Sequence, residues 1–255
     1  MYIYPDEAKL SSPLIFDSHA HIDDSAFDDI LDTLVPDMAQ NGVAGIVCCG
    51  CDKVSSEKTL EIAKKHDIVY AAVGIHPQDV NKSADTDFIY KLVSDEKCVA
   101  IGEVGLDYYW EKDNRELQIE VFKKQLQISK ELDLPILVHD REAHADTFDL
   151  LKKYKPKGVV HCFAGSVEMA QEILKLGMYI GVGGVVTFKN AKRLPDVVKM
   201  LPDDRMLLET DCPYLAPEPL RAKLCHSGLI TFTAQKVAEL RGTETQKILN
   251  QTLEN

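Results

Sequence analysis

Two histidines, His19 and His21, lie one residue apart in the stretch IFDSHAHIDD, directly behind a short apolar run. Residues two apart in an extended strand point to the same face, so both imidazoles can present a nitrogen to one cation. Such a pair is a weak signal by itself, because surface or core histidines would also explain it. Further metal-ligand side chains each follow a different apolar run, and together with the pair they predict a metal site: Glu103, His139, His161 and Asp211.

The predicted ligands combine four imidazoles with two carboxylates, a mixture that suits Zn, Mn, Fe, Co or Ni and suits calcium poorly. Six ligands are too many for one tetrahedral site, so we expect two divalent cations that share a carboxylate, with Glu103 as the bridge. Two cations about 3.5–4 Å apart suit hydrolysis, because they lower the pKa of a bridging water and clamp the attacking and leaving oxygens. We expect Asp211 to bind one cation and to accept the proton of the attacking water.

Eight short, mostly apolar runs must position these residues, and amphipathic segments separate them. Near-continuous apolar runs are typical of parallel strands buried on both faces. The predicted strands are 14–20, 44–50, 69–75, 98–105, 135–140, 158–163, 178–184 and 205–210. The clearest helices are 114–132 and 166–177, the second with a Ser N-cap and a terminal Gly.

Eight repeats of strand and helix predict an α/β fold, a (β/α)8 TIM barrel in a single domain, in which chemistry lies at the carboxyl ends of the strands. The alternative is a doubly wound sheet, but no glycine-rich phosphate loop follows the first strand. Five of the eight histidines fall at predicted strand ends, which agrees with a site there: His19, His21, His76, His139 and His161.

Length and charge restrict the class of protein. A chain of 255 residues is normal for such a barrel. It has no apolar run long enough to span a bilayer and no signal peptide, so we expect a cytoplasmic protein that does not bind membranes. The net charge of −12 argues against a broad basic face for duplex, although a narrow site for a nucleic-acid end is compatible with it. We expect the seven cysteines to be reduced, and those of VCCGC (47–51) to be small buried residues and not a thiolate metal site.

Seven stretches along the chain carry recognisable motifs: FDSHAHID, GIHP, GEVGLDYYW, PILVHDREAHADT, HCFAGS, GGVVTFKNAKRL and LLETDCPYLAP. Together they resemble the TatD family of metal-dependent deoxyribonucleases, within the amidohydrolase superfamily. The resemblance covers residues 14–255 and leaves 1–13 as an N-terminal extension. It implies phosphodiester hydrolysis of DNA, often as a 3′-to-5′ exonuclease with magnesium or a similar cation. It also implies metal ligands at the same positions: His19, His21, Glu103, His139, His161 and Asp211.

The resemblance also places His76 near the substrate, where it would contact a phosphate or, alternatively, make a structural hydrogen bond at a turn. Two departures from the family pattern stand out. Gln78 replaces the second histidine of GIHPH, and the run RAKLCHSGL carries Ala222 and Cys225 where the family has Gly and Asn. We expect the loop 221–228 to border the substrate, so the changes at Ala222 and Cys225 would affect substrate affinity and choice more than metal chemistry.

Basic and aromatic residues near strand ends are candidates for substrate contacts. Lys189 would open a helix after strand 7, and helix N-termini and the loops after strands 7 and 8 favour anions. Arg221 is the second predicted phosphate contact, and Arg141 and Lys223 are further candidates; a solvated surface charge is the alternative for each. Four aromatic residues could each stack on a nucleobase or, alternatively, pack under a loop: Tyr108, Tyr109, Trp110 and Tyr214. Asp17 and Glu209 are candidates to orient the metal ligands from behind.

The residues therefore predict a metal-dependent hydrolase, and the resemblance implies a deoxyribonuclease that acts on DNA, single-stranded or at an end. A monomer is favoured, and the oligomeric state is left open. The alternative keeps the metal centre and changes the substrate to a small ester, amide or phosphoester, since fold and metals do not determine the substrate. A third interpretation is a non-catalytic barrel that binds nucleic acid or protein. The complete set of metal ligands argues against it.

Overall fold

The computed structural model describes residues 2–81 and 84–255. Eight parallel strands form one sheet in which each strand pairs with the next along the chain. The strands are β1 (Ile15–Ala20), β2 (Val43–Cys49), β3 (Val69–Val73), β4 (Cys98–Asp107), β5 (Ile136–Arg141), β6 (Gly158–Val160), β7 (Tyr179–Val182) and β8 (Met206–Leu208). The predicted (β/α)8 barrel is confirmed, and each strand overlaps its predicted run.

Helices follow the strands and surround the barrel. They are α1 (Leu31–Gln40), α2 (Lys53–Lys65), α3 (Asp87–Leu92), α4 (Arg115–Leu132), α5 (His144–Tyr154), α6 (Val167–Lys175), α7 (Leu194–Met200), α8 (Ile230–Arg241) and α9 (Thr245–Glu254). Short 3-10 turns lie at Asp6–Ala8, Ser25–Phe27, Gly184–Thr187, Asp203–Arg205 and Ser227–Leu229. None of the helices in the described part of the chain has the length and apolar character needed to cross a membrane.

Local sequence signals account for the two predicted helices. The hydroxyl of Ser166 accepts a hydrogen bond of 3.3 Å from the backbone N–H of Met169, which caps α6. Gly177, just beyond the end of α6, has a φ of 81°, a conformation that costs glycine nothing. Helix α4 buries Val121, Phe122 and neighbouring apolar residues at helical spacing. These caps and stripes determine where the helices pack on the barrel.

Each strand contributes at least one side chain to a small apolar cluster inside the barrel. The cluster includes Val47 and Cys49 of β2, with Phe16, Ala72, Ala100, Leu137, Val159, Tyr179 and Leu207 from the other seven strands. A larger cluster lies between the strands and the helices. The register of β1 shifts between Asp17 and Ala20. This irregularity lets His19 face inward although Phe16, three residues earlier, also faces inward.

Asp17 joins the first strand to the segment after the last. Its carboxylate accepts hydrogen bonds from the backbone N–H (3.0 Å) and the hydroxyl (2.6 Å) of Thr210. It also accepts a 3.2 Å bond from the backbone N–H of His19. Asp17 is fully buried, so its role in this structure is to hold the β1–β8 seam and the His19 backbone, whereas the sequence suggested contact with a histidine ring.

Residues 2–13, predicted as an extension, pack on the barrel. The hydroxyl of Tyr2 donates to Asp37 at 2.9 Å, and Leu10 donates its backbone N–H to the carbonyl of Asn41 at 3.0 Å. The ring nitrogen Nε2 of buried His226 donates to the carbonyl of Ile3 at 2.9 Å. These contacts make the N-terminal segment part of the folded domain.

Candidate metal centre

The carboxylate of Glu103, near the end of β4, lies at the centre of a group of histidines. Its Oε2 is 3.2 Å from Nε2 of His19 and 3.1 Å from Nε2 of His21. Its Oε1 is 2.8 Å from Nδ1 of His139 and 2.8 Å from Nε2 of His161. Glu103 is only 3% exposed. The two oxygens of one carboxylate therefore face two separate pairs of imidazoles, as a bridging ligand requires.

Ring nitrogens of neighbouring histidines face one another across this centre. Nε2 of His19 lies 3.2 Å from Nε2 of His21, and Nε2 of His161 lies 3.4 Å from Nδ1 of His139. A pair of facing nitrogens can share at most one proton in a hydrogen bond, and two bare lone pairs repel each other. A cation near each pair removes this conflict, because neutral imidazole donates its lone pair to a metal. The residues present thus fit a pair of divalent cations.

Asp211 completes the first pair. It follows β8, and its Oδ1 lies 3.7 Å from Nε2 of His19 and 3.5 Å from Nε2 of His21. The backbone of Asp211 has a φ of 61°, a left-handed conformation that Asp tolerates better than most residues. Its N–H donates to the carbonyl of His19 at 3.0 Å, which fixes the turn against β1. All six predicted ligands are thereby brought together.

The outward nitrogens of two histidines define how the rings are held. Nδ1 of His21 donates to the carbonyl of Cys49 at 2.9 Å, which leaves Nε2 free to face the centre. Nε2 of His139 lies 3.4 Å from Oδ2 of buried Asp107, which leaves Nδ1 to face Glu103. A hydrogen bond like that of His21 fixes the tautomer and the ring orientation of a metal-binding histidine, whereas His139 has only the charge of Asp107 nearby.

Burial and the neighbouring charges set the electrostatics of the centre. Burial alone would raise the pKa of Glu103, but His161, His76 and His19 hold this pKa well below its usual range. Burial also opposes protonation of His139, yet contacts with Asp107 and Glu103 raise its pKa to about 9. Negative charge concentrated at Glu103, with basic nitrogens around it, is the electrostatic requirement of a cation site.

His76, after β3, lies at the edge of this group. Its Nδ1 accepts a 3.2 Å hydrogen bond from the backbone N–H of Gln78, and its Nε2 lies 3.4 Å from Oε1 of Glu103. The turn hydrogen bond that the sequence offered as an alternative is therefore present. His76 also lines the cavity described below, so its contact with a substrate phosphate stays a prediction.

Glu209 lies behind His161 with no exposed surface. Its Oε1 accepts a hydrogen bond from the backbone N–H of Cys162 at 2.5 Å and lies 4.0 Å from Nδ1 of His161. Burial raises the pKa of Glu209 to about 8. Glu209 thus holds the backbone that follows His161, and it does not hydrogen-bond the ring itself.

The thiols of VCCGC contact the centre only from its side. Sγ of Cys49 lies 3.5 Å from Nδ1 of His19, and Sγ of Cys51 lies 3.9 Å from Nδ1 of His21. Burial raises the pKa of the Cys51 thiol to about 11. All seven cysteines are free. Cys48 and Cys49 are buried as predicted, whereas Cys51 is half-buried, lines the cavity and lies with His21 and Glu103 in a group that could hold a metal ion.

A cavity of about 1080 Å³ opens above the centre at the carboxyl ends of the strands. His21, His76, Glu103, His139, His161 and Asp211 all line it. The cations in its lining are Arg141, Lys192 and Arg193. Lys189 and Arg221, the phosphate contacts predicted from the sequence, are not among the lining residues, and the guanidinium of Arg221 lies 4.2 Å from the ring centre of Phe188 instead.

The helix after β7 differs from its prediction. Helix α7 begins at Leu194, with Pro195 in its first turn, a position where proline favours a helix start. The expectation that Lys189 opens this helix is therefore wrong, and Arg193 occupies the N-cap.

The loop 221–228 also lies outside the cavity lining. Cys225, His226 and Ser227 are fully buried, and a Cβ at Gly228 would lie 2.4 Å from the ring of Tyr4. The second half of the loop therefore packs under the N-terminal segment and does not line the cavity. The expectation that the loop borders the substrate stays a prediction.

Sequence reasoning assigned no role to Asp107, Gln78, Lys192 or Arg193. Asp107 ends the motif GEVGLD, only four residues after Glu103, and that spacing is the signal that marks it. Lys192 and Arg193 carried a weaker signal, since both lie in the motif NAKRL directly after Lys189. The role of Gln78 depends on its contact with Asp107 across two strands, which no local pattern reveals.

The chain is similar to known proteins over almost its whole length. A family model described as "TatD related DNase" matches residues 16–255. A curated relative from Bacillus subtilis (strain 168), the uncharacterized metal-dependent hydrolase YabD, is 40% identical over 95% of this chain and 97% of its own length. The uncharacterized metal-dependent hydrolase YcfH of Escherichia coli (strain K12) is 34% identical over 94% of this chain and 93% of its own length.

Solved structures share the fold. The chain is similar to YjjV, a TatD homologue from Escherichia coli K12, with a TM-score of 0.87 and 29% identity over 95% of this chain and 96% of that one. It is also similar in fold to a TatD family hydrolase from Entamoeba histolytica, with a TM-score of 0.85 and 23% identity over 96% and 97% of the two chains.

Proposed function

This chain belongs to the TatD related DNase family, whose curated relatives are named metal-dependent hydrolases, and from that membership we propose that it is a deoxyribonuclease. Its substrate is DNA, single-stranded or at an end, and it removes nucleotides in the 3′-to-5′ direction. The observation that carries the proposal is the position of Glu103, whose two oxygens face two groups of imidazoles at the base of a large cavity.

The donor set divides into two cation sites. His19, His21 and Asp211 with Oε2 of Glu103 would hold one cation, and His139 and His161 with Oε1 of Glu103 would hold the other. Each cation would be Mg, Mn, Zn, Fe, Co or Ni, and when bound it would supply Lewis acidity to a phosphate oxygen and to water.

Asp211 is the residue placed to move a proton. Its side chain is 21% exposed whereas that of Glu103 is 4% exposed, so Asp211 is the carboxylate that is more open to water from the cavity. Oδ1 of Asp211 faces the histidine pair, and its other oxygen remains to accept the proton of an attacking water. Glu103, enclosed by histidines, stays ionised and would share its two oxygens between the cations.

Cations of the chain would receive the negatively charged backbone of DNA. The protein has a net charge of −12, so the attraction must come from a local group of basic residues. Arg141, Lys192 and Arg193 lie in the cavity lining on the β5 and β7 sides. A guanidinium can bind two phosphate oxygens at once, which supports a phosphodiester as the substrate.

An end-labelled substrate panel tests the proposal. The protein, supplied with Mg, Mn or Zn, is offered 5′-labelled single-stranded DNA, blunt duplex, and small esters and amides. We expect metal-dependent shortening from the 3′ end, faster for single strands than for blunt duplex. Turnover of an ester or amide without any DNA cleavage would contradict the nuclease and favour a small-molecule amidohydrolase.

A further inference from the structure

Exposed aromatic side chains gather at the mouth of the cavity. Within residues 2–81 and 84–255, six large apolar side chains are exposed, and three of these follow strand ends next to the metal centre: Tyr109, Trp110 and Tyr214. Trp110 is 61% exposed and Tyr214 is 58% exposed, and both line the cavity. Large aromatic surface left in water beside a cavity is typical of a binding surface.

The two lining rings come from opposite walls. Trp110 follows β4 and Tyr214 follows β8, and these strands are four positions apart in a ring of eight. The metal centre lies between them at the carboxyl ends of the same strands. Tyr214 is fixed at its wall, because its hydroxyl donates to Oδ2 of Asp24 at 3.0 Å. A strand crossing the centre would therefore pass one aromatic ring on each side.

On the β4 side of the cavity, Trp110 lies in a cluster of three planar groups with Tyr109 and Arg141. The guanidinium of Arg141 lies 4.4 Å from the ring centre of Tyr109 and 5.5 Å from that of Trp110. The two aromatic rings meet edge to face at 4.8 Å. Cation–π contact and edge-to-face packing hold such groups in a fixed orientation.

This cluster is tied to the metal centre through one carboxylate. The backbone N–H groups of Tyr109 and Trp110 both donate to Oδ1 of Asp107 at 2.9 Å, while Oδ2 of Asp107 lies 3.4 Å from Nε2 of His139. Tyr108, by contrast, is buried, and its hydroxyl donates to Asp146 at 2.7 Å. Tyr108 therefore packs inside the protein, whereas Tyr109 and Trp110 are exposed to solvent.

We propose that Trp110, supported by Tyr109 and Arg141, stacks on an unpaired nucleobase of the strand being cut, and that Tyr214 stacks on a second base across the centre. The inference rests on the proposed function and defines the form of its substrate. A base inside a duplex has both faces covered by its neighbours, so only a single strand or a frayed end can offer a free face to each ring. The cations beside the rings match the phosphates that link the bases.

The protein has one tryptophan, so its fluorescence reports on Trp110 directly. The metal-loaded protein is titrated with a short phosphorothioate-linked oligothymidylate, which resists hydrolysis, and with an abasic strand of the same length. We expect saturable quenching by the oligothymidylate and at least a fivefold weaker response to the abasic strand. Absence of quenching, or equal quenching by the abasic strand, overturns the inference.

Kinetics give the second test. Trp110→Ala should raise the KM for intact single-stranded DNA about tenfold. The same variant should raise the KM much less for a strand that is abasic at its 3′ end. Trp110→Phe should restore most of the affinity for the intact strand. Tyr90→Ala removes an exposed aromatic of α3 outside the cavity lining and is the matched control. Equal KM changes for intact and abasic strands would mean a structural role and would overturn the inference.

The two proposals fail separately. Quenching by single-stranded DNA without any DNA hydrolysis would overturn the nuclease and leave base stacking in place. DNA hydrolysis with no quenching and no effect of Trp110→Ala would overturn base stacking and leave the nuclease in place.

Discussion

The side-chain amide of Gln78 donates a 2.9 Å hydrogen bond to Oδ2 of Asp107. That same oxygen faces Nε2 of His139 at 3.4 Å, and the opposite nitrogen of His139 faces Glu103. The motif resemblance indicates a histidine as the more usual residue at position 78. An amide at this position always donates and never ionises, so it steadies Asp107 in its contact with His139 over a wide pH range.

Removal of the Gln78 amide should therefore loosen the cation site that includes His139. We expect Gln78→Leu to weaken metal binding about tenfold, as other losses of support behind a metal ligand do, with little change in Tm. Metal titration of the chelator-treated protein measures the change. Gln127→Leu, an exposed substitution on α4, is the control, and equal metal affinity in both variants would show that Gln78 does not support the site.

Asp211→Asn tests the proton acceptor. The amide keeps the size of the side chain but cannot accept the proton of an attacking water, so kcat on single-stranded DNA should fall by about 10²-fold or more. Metal content is measured on the same sample, because a loss of metal would lower the rate for a different reason. Near-normal turnover with the metals still bound would rule out this role for Asp211.

Two double variants test whether DNA contacts the basic residues that line the cavity or those outside it. Lys192→Ala with Arg193→Ala should raise the KM for single-stranded DNA and make its logarithmic salt dependence shallower by about one unit per residue. Lys189→Ala with Arg221→Ala should have a smaller effect, because neither residue lines the cavity. KM measured at several salt concentrations decides the matter, and a larger effect of the second pair would favour the contacts predicted from the sequence.

His226 should make stability depend on pH. Burial lowers the pKa of His226 in the folded protein below its unfolded value near 6.5. Protonation therefore favours the unfolded chain, so this residue's contribution to stability is present above about pH 6.5 and is lost as the pH falls towards the folded pKa.

The comparison uses His226→Gln, which keeps a donor for the carbonyl of Ile3. Thermal unfolding at pH 7.5 and pH 5 should give a smaller decrease in Tm for the variant than for the natural chain. The change in Tm between the two pH values is compared, and not the Tm itself, because the variant also loses ring contacts with Tyr2 and Tyr4. Identical changes in Tm would mean that His226 is not held neutral by its burial.

Much of the fold could be predicted because local patterns are strong. Apolar runs bounded by glycine and charged residues predicted all eight strands, and a Ser N-cap with a glycine stop predicted α6. Strands β6 and β8 end before their predicted runs do, and the next residues of those runs, His161 and Glu209, belong to the site or support it. Periodicity does not distinguish the last residue of a strand from the first residue of a site.

The metal centre was predictable to the level of its six ligands and no further. Parallel strands in a closed barrel must bring their carboxyl ends together, so Glu103 and Asp211 meet the histidines by topology alone. Which oxygen faces which ring, and the support given by Asp107 and Gln78, depend on side-chain packing between distant strands. The cations at 192 and 193 depend on where α7 begins, and Pro195 determines this.

The bridging role of Glu103 is the central claim, and metal counting with matched kinetics tests it most directly. Chelator-treated protein is titrated with Mn or Zn while bound metal and the rate of single-stranded DNA hydrolysis are followed together. We predict no hydrolysis without metal, full activity near two cations per chain, and loss of both metal binding and activity in Glu103→Gln. Hydrolysis by the metal-free protein, or a Glu103→Gln variant that binds both cations and cuts DNA at the natural rate, would contradict the account.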